Sequence, residues 1–376
     1  MLRRQMKKRM IAYRTMKGMG TKPIPHCRYI IFFFVSALSF LTACSMIDED
    51  QSDCADQTKI DYELQLVTNV STEVKTQLNT QADLELATTV KDYLGDIFSD
   101  HANDVNLLFY GVGSDSTLLY NDEHFMDDSE YSYTLLIPRQ KYMHLAVANV
   151  EDDPVVRLED TENCHTAVLR QVEGDTIDSH NTGIFTSRQL MEMIEGIDQT
   201  FNVKLYMANC SAMLVVDPNG YDISDMRVFT TGFATAFYIA DSVYEFKEPL
   251  PLIRTKRMEP DENGHVGFVS VNFPSREPST PQASAARATR TVIETTEPFI
   301  ATPGDEVLWK ILVYLPQSDG TTTETILGVK EPLRAGQLKI VRVRVGDNGV
   351  IETNAPEVGV SVTLDWKPGN VYNPTI

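Results

Sequence analysis

Residues 306–329 read EVLWKILVYLPQSDGTTTETILGV. Two β-rich runs, 306–315 and 322–329, flank Ser318-Asp319-Gly320. Asp-Gly supplies the positive φ angles of a tight hairpin, so this stretch predicts two antiparallel strands. The same kind of signal recurs at Pro218-Asn219-Gly220, Glu262-Asn263-Gly264 and Asp347-Asn348-Gly349, each between β-rich runs. Further strands are expected near 226–231, 235–246, 265–273, 338–345 and 358–366. Short strands with turns between them argue for β-sandwiches rather than an α/β sheet. No Gly-x-Gly-x-x-Gly leads from a strand into a helix, so a dinucleotide-binding fold has no support.

The first half reads the same way with two exceptions. Residues 59–70, 104–110, 116–121, 131–137 and 142–149 are expected as strands, and 203–216 (VKLYMANCSAMLVV) as one long strand. Leu84, Leu86, Val90, Leu94 and Ile97 recur at roughly helical spacing and predict an amphipathic helix over 82–98. Leu190, Met191, Ile194 and Ile197 suggest a second helix over 187–197, with Ser187 as its N-cap. The expectation is a mostly β fold with one or two short helices. The length suggests two domains, placed at 59–217 and 218–376. Residues 274–291 (PSREPSTPQASAARATRT) carry Pro274, Pro278 and Pro281, which exclude regular strand, and read as a surface insertion. Its Arg276, Arg287 and Arg290 are a basic exception on an acidic chain and leave a partner contact as the alternative.

The N-terminus sets the compartment. Residues 29–43 (YIIFFFVSALSFLTA) form an apolar run of 15 residues, short of the roughly 20 needed to span a bilayer. Nine bases and no acid precede or flank it, and Leu41-Thr42-Ala43-Cys44 fits a bacterial lipobox. Residues 1–43 are therefore expected to be a signal peptide, Cys44 a lipidated first residue, and 44–58 an acidic tether. The whole chain has 33 bases and 53 acids, a net charge of −20, and the part after residue 43 carries −29. Such a surface repels nucleic acid and anionic headgroups, so attachment to a membrane falls to the lipid.

No catalytic constellation stands out. The histidines lack metal-ligand spacing, and neither a nucleophile elbow nor a phosphate-binding loop occurs. Cys164-His165 is an adjacent pair, but adjacency is not the orienting geometry nucleophilic catalysis needs. The acidic clusters, including Asp217 to Asp225, depart from the calcium-loop order and read as solvated loops. No metal and no cofactor is expected beyond a covalent lipid on Cys44. With Cys44 acylated, Cys54, Cys164 and Cys210 remain, an odd number. If Cys210 is a buried thiol within a strand, Cys54 and Cys164 are the pair that could meet; the spacing does not choose. At the C-terminus Val358, Val360, Val362, Leu364 and Trp366 alternate with Gly359, Ser361, Thr363 and Asp365. This is a period-two strand with one apolar face. It could complete its own sandwich or be donated to a neighbour, and the first reading is favoured.

The stretch from Cys44 to Cys54, CSMIDEDQSDC, resembles the start of mature FimB-type fimbrillin-associated anchor lipoproteins of type V fimbriae. Thr230-Thr231-Gly232-Phe233-Ala234, Tyr244-Glu245-Phe246, Val271-Asn272-Phe273-Pro274, LRAGQLKIVRVRV (333–345) and GVSVTLDW (359–366) are similar to later parts of that family. The resemblance implies two transthyretin-like Greek-key β-sandwiches and no catalytic residue. It implies a palmitoylated outer-membrane lipoprotein, facing the cell exterior, that anchors a fimbria (pilus) and limits its length. The implied partner is the fimbrial shaft subunit, met by strand exchange or groove contact. Two other readings stand beside it. One is a surface glycan-binding lipoprotein of a polysaccharide-uptake system, which would want exposed aromatics. The other is an adhesin for host protein.

Overall fold

The computed structural model describes residues 57–66, 104–113, 116–125, 132–151, 153–193, 199–261, 263–278, 299–353 and 362–365. Among these residues every regular element is a strand. Sheet 1 is built from β1 (Gln57–Leu66), β2 (Asp104–Gly111), β3 (Leu118–Phe125), β4 (Ser132–Pro138), β5 (Lys141–Ala148), β9 (Phe185–Glu192) and β10 (Gln199–Met207). Its order is β3-β2-β5-β9-β10-β1-β4. Sheet 4 takes β6 (Val156–Glu159) and β7 (Val168–Gln171) together with β13 (Ala236–Tyr238) and β14 (Val243–Glu245).

Sheet 2 has the order β16-β17-β11-β21-β22. It comprises β11 (Cys210–Asp217), β16 (Lys256–Arg257), β17 (Val266–Asn272), β21 (Gln337–Val345) and β22 (Ile351–Glu352), with β23 (Val362–Asp365) also on β21. Sheet 3 has the order β18-β20-β19-β12-β15-β8. It comprises β8 (Thr176–Asp178), β12 (Arg227–Thr231), β15 (Leu252–Arg254), β18 (Phe299–Ile300), β19 (Trp309–Pro316) and β20 (Thr322–Val329).

The opening stretch folds as its turn requires. β19 and β20 pair antiparallel from Trp309↔Val329 to Pro316↔Thr322, with Gly320 at φ 85°. Asp347-Asn348-Gly349 likewise joins β21 to β22, and Asn263-Gly264 lies between β16 and β17. Asn219-Gly220 turns the chain too, but β11 lies in sheet 2 and β12 in sheet 3, so no hairpin forms there. A turn residue fixes local φ; it does not choose the next strand's partner.

Sheet 2 is the middle layer. Leu214 and Val216 of β11, Val266 and Phe268 of β17, and Val341 and Val343 of β21 meet Ile311, Val313 and Leu327 of sheet 3 in one core. Met213, Val215, Val269, Val271, Leu338 and Ile340 on the opposite face meet Ile60, Val105, Phe109 and Val203 of sheet 1 in the second. Each such side chain contributes roughly 1.5–3 kcal/mol by leaving water.

Three expectations are corrected. Residues 187–192 belong to strand β9, not to a helix: Met191 is buried and its neighbour Leu190 exposed, a period of two. Ser187 sits opposite Ala146 in the ladder rather than capping a helix. Residues 203–216 are not one strand, because the chain leaves sheet 1 at Met207 and enters sheet 2 at Cys210. Residues 235–246 break into β13 and β14, which pair through a turn with Ser242 at φ 53°. The helix expected over 82–98 lies outside the described residues. So do the signal peptide and most of the tether. β7 and β8, before the expected boundary at 217/218, pair with β13 and β15 after it.

Candidate functional site

The C-terminal strand is positioned by β21. Val362 pairs with Ile340 and Leu364 with Leu338, antiparallel, on the edge of sheet 2 away from β11. β23 is therefore an edge strand of its own chain's sheet. Val358, Val360 and Trp366 lie outside the described residues, as do Cys44 and Cys54. Cys164 is a free, buried thiol, and so is Cys210.

A buried polar cluster that no sequence motif marks stands among the described residues. It forms where the chain crosses from sheet 1 to sheet 2. Asn209, fully buried, accepts from the Ile184 amide at 3.2 Å and donates from Nδ2 to the Thr182 carbonyl at 2.8 Å. Its own carbonyl accepts from the Gly336 amide. Beside it Asp153 accepts from the amides of Val155 (2.8 Å), Val156 (3.1 Å) and Asn181 (3.1 Å). His180 lies between, with Gln171 Nε2 2.7 Å from its Nε2 and Asn209 Nδ2 3.4 Å from its Nδ1. A neutral imidazole has one donor and one acceptor. Thr182 and Ile184 fix the Asn209 amide, so Nδ1 accepts and Nε2 carries the proton. Gln171 then presents its oxygen to that proton, which gives a partner to an Oε1 otherwise without one.

Burial pushes His180 down to about 4, with the Asp153 carboxylate pulling the other way. His144 is pushed down to about 4 as well, again by burial, against the bond from its Nδ1 to the Leu108 carbonyl at 3.0 Å. Because a carbonyl only accepts, Nδ1 of His144 holds the proton. Both rings are neutral packing elements: His144 stacks on Phe109 at 4.3 Å and His180 meets Phe273 edge-on at 5.0 Å. A signal for this cluster existed. Asn209 interrupts an apolar run, and an interior Asn is costly unless its amide is bonded.

Nothing here is poised for nucleophilic chemistry. Burial pushes the Cys164 thiol up, partly offset by the Ser116 hydroxyl, and pushes Cys210 well above the usual thiol range. His165 turns its Nδ1 to Asp241 at 3.0 Å instead of serving Cys164. Among the described residues no group of three His, Cys, Asp or Glu side chains could hold a metal. An open cleft of about 550 Å³ lies between sheet 1 and β6, with Asn106, Asn121, Glu151 and Arg157 at its rim and Leu108 and Val156 beneath. It offers neither an aromatic platform nor an activated group. Trp309, 1% exposed, packs on Phe233 and donates Nε1 to the Glu331 carbonyl, so it presents no ring to a sugar.

The described part is thus an all-β scaffold of stacked sheets. No family model matches the chain, and no curated protein matches it. Solved structures with some likeness include the fimbrial anchor protein Mfa2 of Porphyromonas gingivalis: 9% identity, 82% of this chain and 95% of that one, TM-score 0.42. The tip fimbrial protein Mfa3 of the same organism, with C-terminal truncation, shows 9% identity over 82% of this chain and 100% of that one, TM-score 0.40. A candidate polysaccharide-binding protein of Bacteroides thetaiotaomicron shows 9% identity over 82% and 96%, TM-score 0.48. Likeness at these values carries no weight for the fold or the role of this chain.

Proposed function

We propose that the chain is a non-catalytic surface lipoprotein that holds a fimbria to the outer membrane through an acylated Cys44 and limits the fibre's length. The carrying observation is the place of β1. It begins thirteen residues after Cys44 and is an interior strand, parallel to β10 over seven residue pairs and antiparallel to β4 over seven. A pull from the lipid enters along the axis of β1 and loads both ladders in shear, so many hydrogen bonds share it at once. Resistance to such a pull is set by the unfolding rate rather than by equilibrium stability, and an anchor needs that kind of resistance. The body comprises two β-sandwiches of transthyretin-like topology, and the shaft subunit is its partner, through strand exchange or groove contact. A single acyl chain holds a protein only marginally, so several are required.

The test is retention of fimbriae on cells carrying Cys44→Ala. Fimbriae are expected in the medium and the protein is expected to leave the membrane fraction. Unchanged attachment of both would sink the proposal. The glycan-binding reading has less support, because Trp309 is buried.

A further inference from the structure

Six large apolar side chains are exposed among the described residues, and four of them stand near one end of the strands of sheet 1, spread from its β3 edge to its β4 edge over roughly 29 Å. Val112 (50% exposed) follows β2, and Leu119 (50%) is the second residue of β3 and leans over Gly111. Leu136 (57%) stands two residues before the end of β4, and Leu190 (51%) two before the end of β9. The register places them at a similar level along the strands, as a row and not a cluster. Gly111 lies opposite Tyr142, Lys141 opposite Glu192, and Gln199 opposite Ile60. Gln57, the first residue of β1, lies opposite Pro138. The tether from Cys44 therefore enters the fold at the end where these four side chains stand.

Thirteen residues span at most about 45 Å even when fully extended, and they join the fold at this end. It also carries Lys59, Arg139 and Lys141, on a chain whose part after residue 43 has a net charge of −29. Lys59 and Lys141 face Asp61 at 3.8 Å and Glu192 at 3.7 Å. Exposed pairs of that length contribute less than about 1 kcal/mol, so either ammonium can turn to a phosphate at little cost.

We propose that this end of sheet 1 is a lipid-facing surface: Val112, Leu119, Leu136 and Leu190 rest in the headgroup boundary and the three cations meet lipid phosphates. The inference rests on acylation of Cys44. It fixes how the body stands on the membrane, with β1 rising away from the surface and the far end of sheet 1 outermost.

The test uses the full lipidated protein in 3:1 phosphatidylethanolamine/phosphatidylglycerol vesicles that carry a nitroxide-labelled lipid. Cys54→Ser provides the background, and Cys164 and Cys210 are buried and unlabelled. A fluorophore is placed on Leu136→Cys, or on Lys204→Cys on the same face. Lys204 pairs with Gln65 and Leu136 with Lys59, a separation of about 20 Å along β1. Quenching at least twofold stronger at 136 than at 204 is expected, and Val112→Asp with Leu190→Asp should erase the difference. Equal quenching at the two sites overturns the inference. So does a dimer on size-exclusion chromatography in detergent that Val112→Asp with Leu190→Asp abolishes, which would mean a second protein copy covers this end. If the protein fails to float with vesicles at all, the Cys44 anchor fails instead, and the two failures are told apart.

Discussion

Sheet 2 and the tether end of sheet 1 are both β-structure, yet they bury their residues in opposite ways. Every residue of β17 is buried, and β11 is buried from Cys210 to Val216. In β10 the faces alternate, with Val203 and Leu205 inside and Asn202 and Lys204 outside. A strand between two cores must satisfy both with one backbone, and β2 and β5 of sheet 1 do so too: Leu108 and Leu145 enter one core, Phe109 and Ala146 the other. Only toward β10 does one face of sheet 1 open, and that open face is left for contacts.

The contrast can be broken by experiment, most forcefully in the middle layer. Phe268→Ala is expected to cost roughly 3–5 kcal/mol, because it opens a cavity between sheets 2 and 3. Urea unfolding measures it, and a loss under 1 kcal/mol would mean the two-faced burial of β17 is not what holds the stack.

The next effect is acid sensitivity, and it should be seen in both layers. His144 and His180 are pushed down to about 4, below their ordinary 6.5. The unfolded chain therefore binds more protons between those values. Their neutral packing stabilises fully above pH 6.5 and is lost as pH falls toward 4, by up to about 3 kcal/mol for each ring. Replacing either ring, as His144→Gln or His180→Gln, should flatten the decline in urea midpoint between pH 7 and pH 4.5. An unaltered slope would show that the rings are not the groups that titrate.

The smallest expected effect sharpens the other side. Leu136→Ala should change stability by no more than about 0.5 kcal/mol, although the same residue is expected to matter at a lipid surface. A cost above 1.5 kcal/mol by thermal unfolding would place Leu136 in a packed interior instead.

The fold was legible wherever one face is wet. Asp319-Gly320 and Asn348-Gly349 announced their hairpins through local φ, and a β-rich run marked β19, where Trp309, Ile311, Val313 and Leu315 prove to be the buried, alternate residues. The doubly buried run 203–216 hid its break, because an apolar stretch reads alike in one strand or two. Residues 187–192 read as helical because Leu190 and Met191 are both apolar; only the ladder with β5 shows that they face opposite ways. Of the cluster around Asn209 and His180 the sequence signals one member, the Asn inside an apolar run, but not its partners. The members come from five separate stretches, and no local spacing announces a contact made by crossing between sheets.

One short run belongs to two of those sheets. Residues 176–178 pair in parallel with β15 of sheet 3, and the next amide, or nearly so, that of His180, bonds to the Val271 carbonyl of sheet 2. Ser179 Oγ accepts from the Val271 amide at 2.8 Å. Although β8 is an edge strand, freeing this run breaks bonds to both sheets, so its amides should exchange with solvent more slowly than those of an edge strand held by one neighbour alone. Five residues thereby stitch two layers together at the margin of one of them.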